Sequence, residues 1–126
     1  MDIESTTDHT ACLKVALRIL AKWQCSQSQI QKILNNEDIA KHTDNFHAPS
    51  NPLTEDQIER ISHVLNIHAS LVSLFSNEAN IYGFVKFGNR NVPFNGRTPL
   101  SLIENGELSD LHRLNQEIAK ISQLHI

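Results

Sequence analysis

The sequence predicts an all-α chain, and three observations carry that expectation. Apolar residues recur at intervals of three and four in several separate stretches, helix start and stop residues stand where those stretches begin and end, and no internal repeat or low-complexity tract interrupts them. At 126 residues and 40% hydrophobic content, the chain can bury one modest core or two small helical subdomains that share a seam. The expected architecture is a helix-turn-helix-like subdomain over residues 1–52, followed by a small helical domain over 53–126.

Each element has its own signal. From Thr10 to Trp23, Leu13, Leu17, Leu20 and Trp23 keep helical spacing, Ala16 fills in, and Lys14, Arg18 and Lys22 form the opposite face. Gln24 and Cys25 break that pattern, and Ser26 is placed to cap a short second helix with Ile30, Ile33 and Leu34 turned inward. Asn35 and Asn36 suit a turn, after which Asn36 is placed to cap a further turn or two from Glu37 to Lys41. Thr43 to Pro52 is polar, holds two of the four prolines and reads as a connection. Thr54 with Gln57 makes a capping box for a long helix to about Phe75, with Ile58, Ile61, Leu65, His68, Val72 and Phe75 as the expected stripe and Val64 and Leu71 beside it. Asn77 is placed to cap a segment from Glu78 to Phe87, in which Ile81, Phe84 and Val85 face inward and Gly88 ends the run. Thr98 and Pro99 start a short helix that Gly106 closes after Asn105. Leu108, Leu111, Leu114, Ile118 and Ile121 mark the last helix, with Leu124 and Ile126 beyond it.

Composition excludes several functions. No apolar run reaches the ~20 residues that span a bilayer, and Met1 to Thr10 lacks the layout of a signal peptide, so a cytoplasmic location and no membrane partner are expected. Cys12 and Cys25 have no second ligand at metal spacing and read as reduced, mostly buried thiols. A net charge of -3 argues against nonspecific coating of nucleic acid, though not against sequence-specific binding.

Chemistry is hard to find. The seven histidines are scattered, and His63 and His68, five apart, fall on different sides of one helix, so no metal and no cofactor is expected. No glycine-framed nucleophile or phosphate loop occurs, and Glu104, Glu107 and Asp110 read as capping and solvated groups, so no enzyme is expected. The first helix followed by "CSQSQIQKILNN" has the proportions of a helix-turn-helix. On that reading Gln27 and Ser28 suit phosphate contact, and Lys32, Asn35, Asn36, Lys41 and His42 approach bases or backbone. A plain helical hairpin fits the same residues, and Glu37 and Asp38 would repel phosphate. In "NIYGFVKFGNRNVPFNGRTP", four of the seven aromatics, Tyr82, Phe84, Phe87 and Phe94, gather with Arg90 and Arg97. Phe84 keeps register with the core, whereas the arginines, which a core cannot hold unpaired, suit a surface that binds protein or an anion.

Through "LTEDQIERISHVLNIHASLVSLFSNEANIYGFVKFGN", "PFNGRTPLSLIENG" and "SDLHRLNQEI", the chain resembles the Xre/MbcA/ParS antitoxins of bacterial toxin–antitoxin pairs, whose partners are RES-domain toxins that consume NAD. Tyr82 and Gly83 stand in the family's aromatic segment, Phe84 where Trp is frequent, and Phe94, Gly96 and Arg97 in its apolar-Gly-Arg loop. Pro99, Leu100 and Gly106 match the bounds of the short helix, and Asp110 and Leu111 the start of the last one. Phe in place of Trp and the absence of a proline after the aromatic segment are departures. The resemblance implies a toxin-binding domain over 53–126 that covers the toxin's NAD pocket without chemistry of its own, with Tyr82, Arg90, Phe94, Asn95, Gly96, Arg97, Asp110 and Ile126 as candidate contacts. It also implies operator binding by the N-terminal region and assembly as a homodimer or a toxin–antitoxin hetero-oligomer. The alternative is a stand-alone repressor whose C-terminal half only dimerises.

Overall fold

The computed structural model describes residues 3–38, 52–88 and 94–124, apart from the side chains of 3–8 and 124. Five α-helices make up the described chain: α1 (Ile3–Lys22), α2 (Gln27–Leu34), α3 (Glu55–Leu74), α4 (Glu78–Gly83) and α5 (Leu108–Leu124). Two short 3-10 segments, Phe84–Lys86 and Leu100–Leu102, join them. Among the described residues there is no strand, and the molecule is all-α as expected.

The first two helices begin and end for local reasons. In α1, Leu13, Ala16, Leu17 and Leu20 are buried, as is Trp23 just past its end, each large side chain contributing roughly 1.5–3 kcal/mol. Gln24 stops the helix by taking a positive φ of 63°, and Cys25 N–H reaches back to the Leu20 carbonyl at 3.1 Å. Helix α2 ends the same way: Asn35 takes φ 51° and Asn36 N–H bonds the Gln31 carbonyl at 3.0 Å. Its start is a full capping box, Ser26 Oγ accepting from Gln29 N at 3.1 Å and Gln29 Oε1 from Ser26 N at 2.7 Å. The helix expected from Glu37 to Lys41 opens instead as a turn, in which Asn36 Oδ1 accepts from Asp38 N at 2.9 Å; residues 39–41 lie outside the described chain.

Helix α3 is the centre, packing against α5 and α1, and begins with the Thr54–Gln57 capping box. Its buried face is Arg60, Ile61, His63, Val64, Ile67 and Leu71. The expected stripe was therefore rotated: Val72 is exposed, and Ile58, Leu65, His68 and Phe75 are only half-buried. The segment from Glu78 tightens at Phe84, where α4 passes into 3-10 geometry that ends at Lys86. The short element opened by Thr98 and Pro99 is likewise a single 3-10 turn rather than an α-helix.

One core crosses the boundary expected at residue 52. Leu13, Trp23, Ile33, Val64, Leu71, Phe94, Leu111 and Ile118 belong to one buried cluster. A polar pin reinforces it. Arg60, only 7% exposed, sends Nη1 to the carbonyls of Lys32 (3.2 Å), Ile33 (3.2 Å) and Gly106 (2.7 Å), while its Nε bonds Asp56 Oδ2 at 2.8 Å. Lys32 and Ile33 carry carbonyls in the last turn of α2, where the Lys32 oxygen has only the 3.2 Å bond from Asn35 N–H among the backbone bonds of the cap, so a cation there satisfies acceptors and the helix dipole together. Gly106 makes the pin possible: its φ is +84°, and a Cβ would stand 2.9 Å from the Lys32 carbonyl oxygen.

Candidate functional site

The stretch from Phe94 to Arg97 is a tight turn with an outward arginine. Arg97 N–H bonds the Phe94 carbonyl at 2.9 Å, and the two central residues, Asn95 (φ 52°) and Gly96 (φ 88°), both take the left-handed values that a type I′ turn demands. Both flanks of the turn are anchored. Phe94 is 1% exposed and Pro99 is buried, while Thr98 Oγ1 accepts from Ser101 N at 3.1 Å and the Thr98 carbonyl from Ser101 Oγ at 2.7 Å. Asn95, Gly96 and Arg97 are exposed, and the guanidinium has one long bond, from Nη2 to the Ser101 carbonyl at 3.4 Å.

Beside the turn lies a cleft of about 210 Å³ between the 94–105 segment and α5, lined by Phe94, Arg97, Asn105, Asp110, Arg113 and Glu117 among others. Its walls carry two cations and two carboxylates over an apolar floor that includes Leu102 and Leu114. Asn105 organises the rim, donating from Nδ2 to Asp110 Oδ2 at 2.9 Å and accepting Glu107 N–H on Oδ1 at 2.9 Å. Such a cleft suits a polar, charge-matched partner surface.

The structure sorts the expected partner contacts. Asn95, Gly96, Arg97 and Asp110 converge on the turn and cleft. Phe94 is 1% exposed and packed in the core at the base of the cleft, so it braces the turn rather than projecting as a surface anchor. Tyr82 is half-buried elsewhere, its ring stacked on His68 at 5.5 Å with Lys22 Nζ 5.7 Å from its centroid. Burial of His68 holds that imidazole below its ordinary pKa, and its Nδ1 is buried with no hydrogen-bond partner among the described residues. Arg90 and Ile126 lie outside the described residues.

The expected DNA contacts are divided too. Ser28 and Lys32 are exposed on α2 and Gln27 is half-buried at its start. Asn35 and Asn36 use their polar groups within the fold. Asn35 Nδ2 donates to Asp56 Oδ2 at 3.1 Å, its carbonyl accepts from Gln57 Nε2 at 2.8 Å, and Asn36 closes the turn already described. Lys41 and His42 lie outside the described residues. Cys12 and Cys25 are free and half-buried, and burial, aided by the Glu104 carboxylate, pushes the Cys25 thiol up to about 12, so it stays protonated at neutral pH.

Three features were missed in sequence. Phe87 is 69% exposed and borders a second cleft of about 150 Å³ with Phe75, Asn80 and Phe84. Its place after the 3-10 turn, which throws it off the helical face, is not a periodic signal. Arg113 and Glu117, one helical turn apart, line the first cleft, and that spacing on the outer face of the last helix was a readable signal. His63 and His112, read as scattered, meet across α3 and α5, His112 Nδ1 lying 3.4 Å from His63 Nε2 with Glu59 Oε2 3.2 Å from the same nitrogen.

No described helix is long and apolar enough to cross a membrane. Comparison with protein-family models, curated protein sequences and solved structures gives no match.

Proposed function

We propose that the chain is the antitoxin of a type II toxin–antitoxin pair, neutralising a RES-domain, NAD-consuming toxin by covering the entrance to its active site. The observation that carries this reading is the type I′ turn at 94–97. An exposed Arg97 stands on a bend anchored on both sides by buried residues and opens onto a cleft of mixed charge. A group held this way loses little freedom on docking, so most of its interaction energy remains for binding. Its guanidinium is fit to pair with carboxylates on the rim of a partner's pocket. The protein itself supplies shape and charge and performs no chemistry. Phe87 adds an exposed aromatic anchor on the same C-terminal half. Autorepression through operator DNA is part of the proposal, supported by the exposed Ser28 and Lys32 on the capped α2.

The test is co-expression with a RES-domain toxin encoded beside the chain, followed by purification and an NAD-consumption assay. The wild-type chain is expected to restore growth, co-purify and suppress NAD loss. Arg97→Glu is expected to lower toxin affinity about tenfold or more, the scale of a lost interfacial charge contact, with an unchanged circular dichroism spectrum. A chain that never associates with such a toxin, or an Arg97→Glu variant that binds as tightly as wild type, overturns the reading.

A further inference from the structure

We propose that Glu59, His63 and His112 form a binding site for one divalent transition-metal ion of the zinc class, bridging α3 and α5. The inference is independent of the antitoxin reading. One carboxylate oxygen and two imidazole nitrogens lie within 4.8 Å of one another. Two of the three separations, 3.2 Å from Glu59 Oε2 to His63 Nε2 and 3.4 Å from His63 Nε2 to His112 Nδ1, are already short. Zinc bonds of roughly 2.0–2.2 Å in tetrahedral geometry place neighbouring ligand atoms about 3.3–3.5 Å apart. These two edges therefore fit an ion after shifts of a few tenths of an ångström, and the third closes by rotation of exposed side chains.

One tautomer of this cluster suits an ion better than hydrogen bonds alone. Where His112 Nδ1 carries no proton, His63 Nε2 faces two acceptors, that nitrogen and the Glu59 carboxylate, and a single N–H cannot serve both well. In that tautomer a Lewis acid satisfies the facing lone pairs best.

The surroundings fit a ligand set as well. The His63 residue is 7% exposed, and its ring is fixed edge-on to that of His112, with centroids 4.9 Å apart. Asn115 Nδ2 lies 3.0 Å from His63 Nδ1. A half-turn of that amide exchanges its nitrogen and oxygen, so that Oδ1 accepts Nδ1–H and the Nε2 lone pair is left for metal, the usual outer support of a histidine ligand. Glu59 precedes His63 by one turn of α3, so both sit on one helix face, and His112 comes across from α5. Glu59 and His112 are exposed, which leaves a solvent-facing position for water as the fourth ligand. Two imidazoles and one carboxylate suit zinc, cobalt, nickel or copper and disfavour magnesium and calcium, which prefer oxygen ligands throughout.

The experiment uses the full chain, stripped with a chelator, titrated with Zn²⁺ by calorimetry and with Co²⁺ by visible absorption. One equivalent of Zn²⁺ is expected, with Co²⁺ giving the intense d–d bands of a four-coordinate site. His112→Ala and Glu59→Gln, both at exposed positions, are each expected to weaken binding about tenfold or more, and Asn115→Ala by about 10–100-fold through loss of its support. Circular dichroism checks that each variant folds, and either exposed-site variant alone decides the matter. Absence of binding, or binding that survives undiminished in His112→Ala or Glu59→Gln because other histidines supply it, overturns the proposal.

Discussion

Arg60 and Arg97 are the same residue put to opposite uses. Arg60 is buried, and four oxygen atoms surround its guanidinium, tying the end of α2, the start of α3 and the Gly106 bend into one body. Arg97 is exposed and, among the described residues, makes one long side-chain bond, to the Ser101 carbonyl. Burial decides the difference. A guanidinium withdrawn from water must find acceptors for its donors, so Arg60 specifies the fold, whereas Arg97 pays no such desolvation cost and remains free to meet a partner. The turn that carries Arg97 is nevertheless as firmly held as the pin, because its support comes from Phe94 beneath it and not from the arginine itself.

Breaking that support gives the largest effect. Phe94→Ala removes a ring that is 1% exposed and is expected to cost about 4 kcal/mol of unfolding free energy, read from urea denaturation. Removing the pin comes next. Arg60→Met keeps length but takes the guanidinium away from the carbonyls of Lys32, Ile33 and Gly106, and about 3 kcal/mol is expected from the same measurement. Gly106→Ala acts on the other side of that pin. A Cβ at φ +84° and 2.9 Å from the Lys32 oxygen must push α2 away from Arg60, and about 2 kcal/mol is expected. If Gly106→Ala and Arg60→Met together cost less than the sum of the two, the residues act as one unit.

Acid should loosen the pin more gently. Desolvation alone would raise the Asp56 carboxyl, but hydrogen bonds from Asn35 and Arg60 and the charge of Arg60 outweigh it and hold that group below the usual carboxylate range. A carboxylate depressed in the folded state adds stability above its unfolded value of about 3.9, and that stability is lost as pH falls through the lower folded value. The carboxylate is partly exposed, which screens the gain to about 0.5–1 kcal/mol. Asp56→Asn should therefore be less stable than wild type at pH 7 and converge on it toward pH 2, as followed by thermal melts.

How much of this was legible follows from where the information lies. The caps at Ser26 and at Thr54 with Gln57 and the Asn95–Gly96 turn are local chemistry, written within four residues, and the sequence states them directly. The buried face of α3 is not local. Ile58, Ile61, Val64, Leu65, Ile67, Leu71 and Val72 spread over about half of that helix's circumference, so periodicity leaves the centre of the buried face open until α1 and α5 pack on it. Arg60 and His63 on that face look like solvated residues until partners 27 to 52 positions away supply their hydrogen bonds. The same reason hid the His63–His112 pair, separated by 49 positions. Phe94 misled in the reverse direction: an aromatic between basic residues reads as a surface anchor, and only the folded turn shows it pointing inward.

The smallest expected stability effect sharpens the contrast between the arginines most. Arg97→Glu reverses a charge that is exposed, with a single 3.4 Å bond to the Ser101 carbonyl, so its unfolding free energy should stay within about 0.5 kcal/mol of wild type. The cleft beside it balances Arg113 against Asp110 and Glu117, and the new carboxylate would raise the negative density there without burying any charge. Urea denaturation of Arg97→Glu and Arg60→Met side by side is then a direct comparison of the two uses of arginine. A loss of about 2 kcal/mol or more in Arg97→Glu would mean that the outward arginine is a structural brace like the buried one, and the turn would cease to be a surface kept free for a partner.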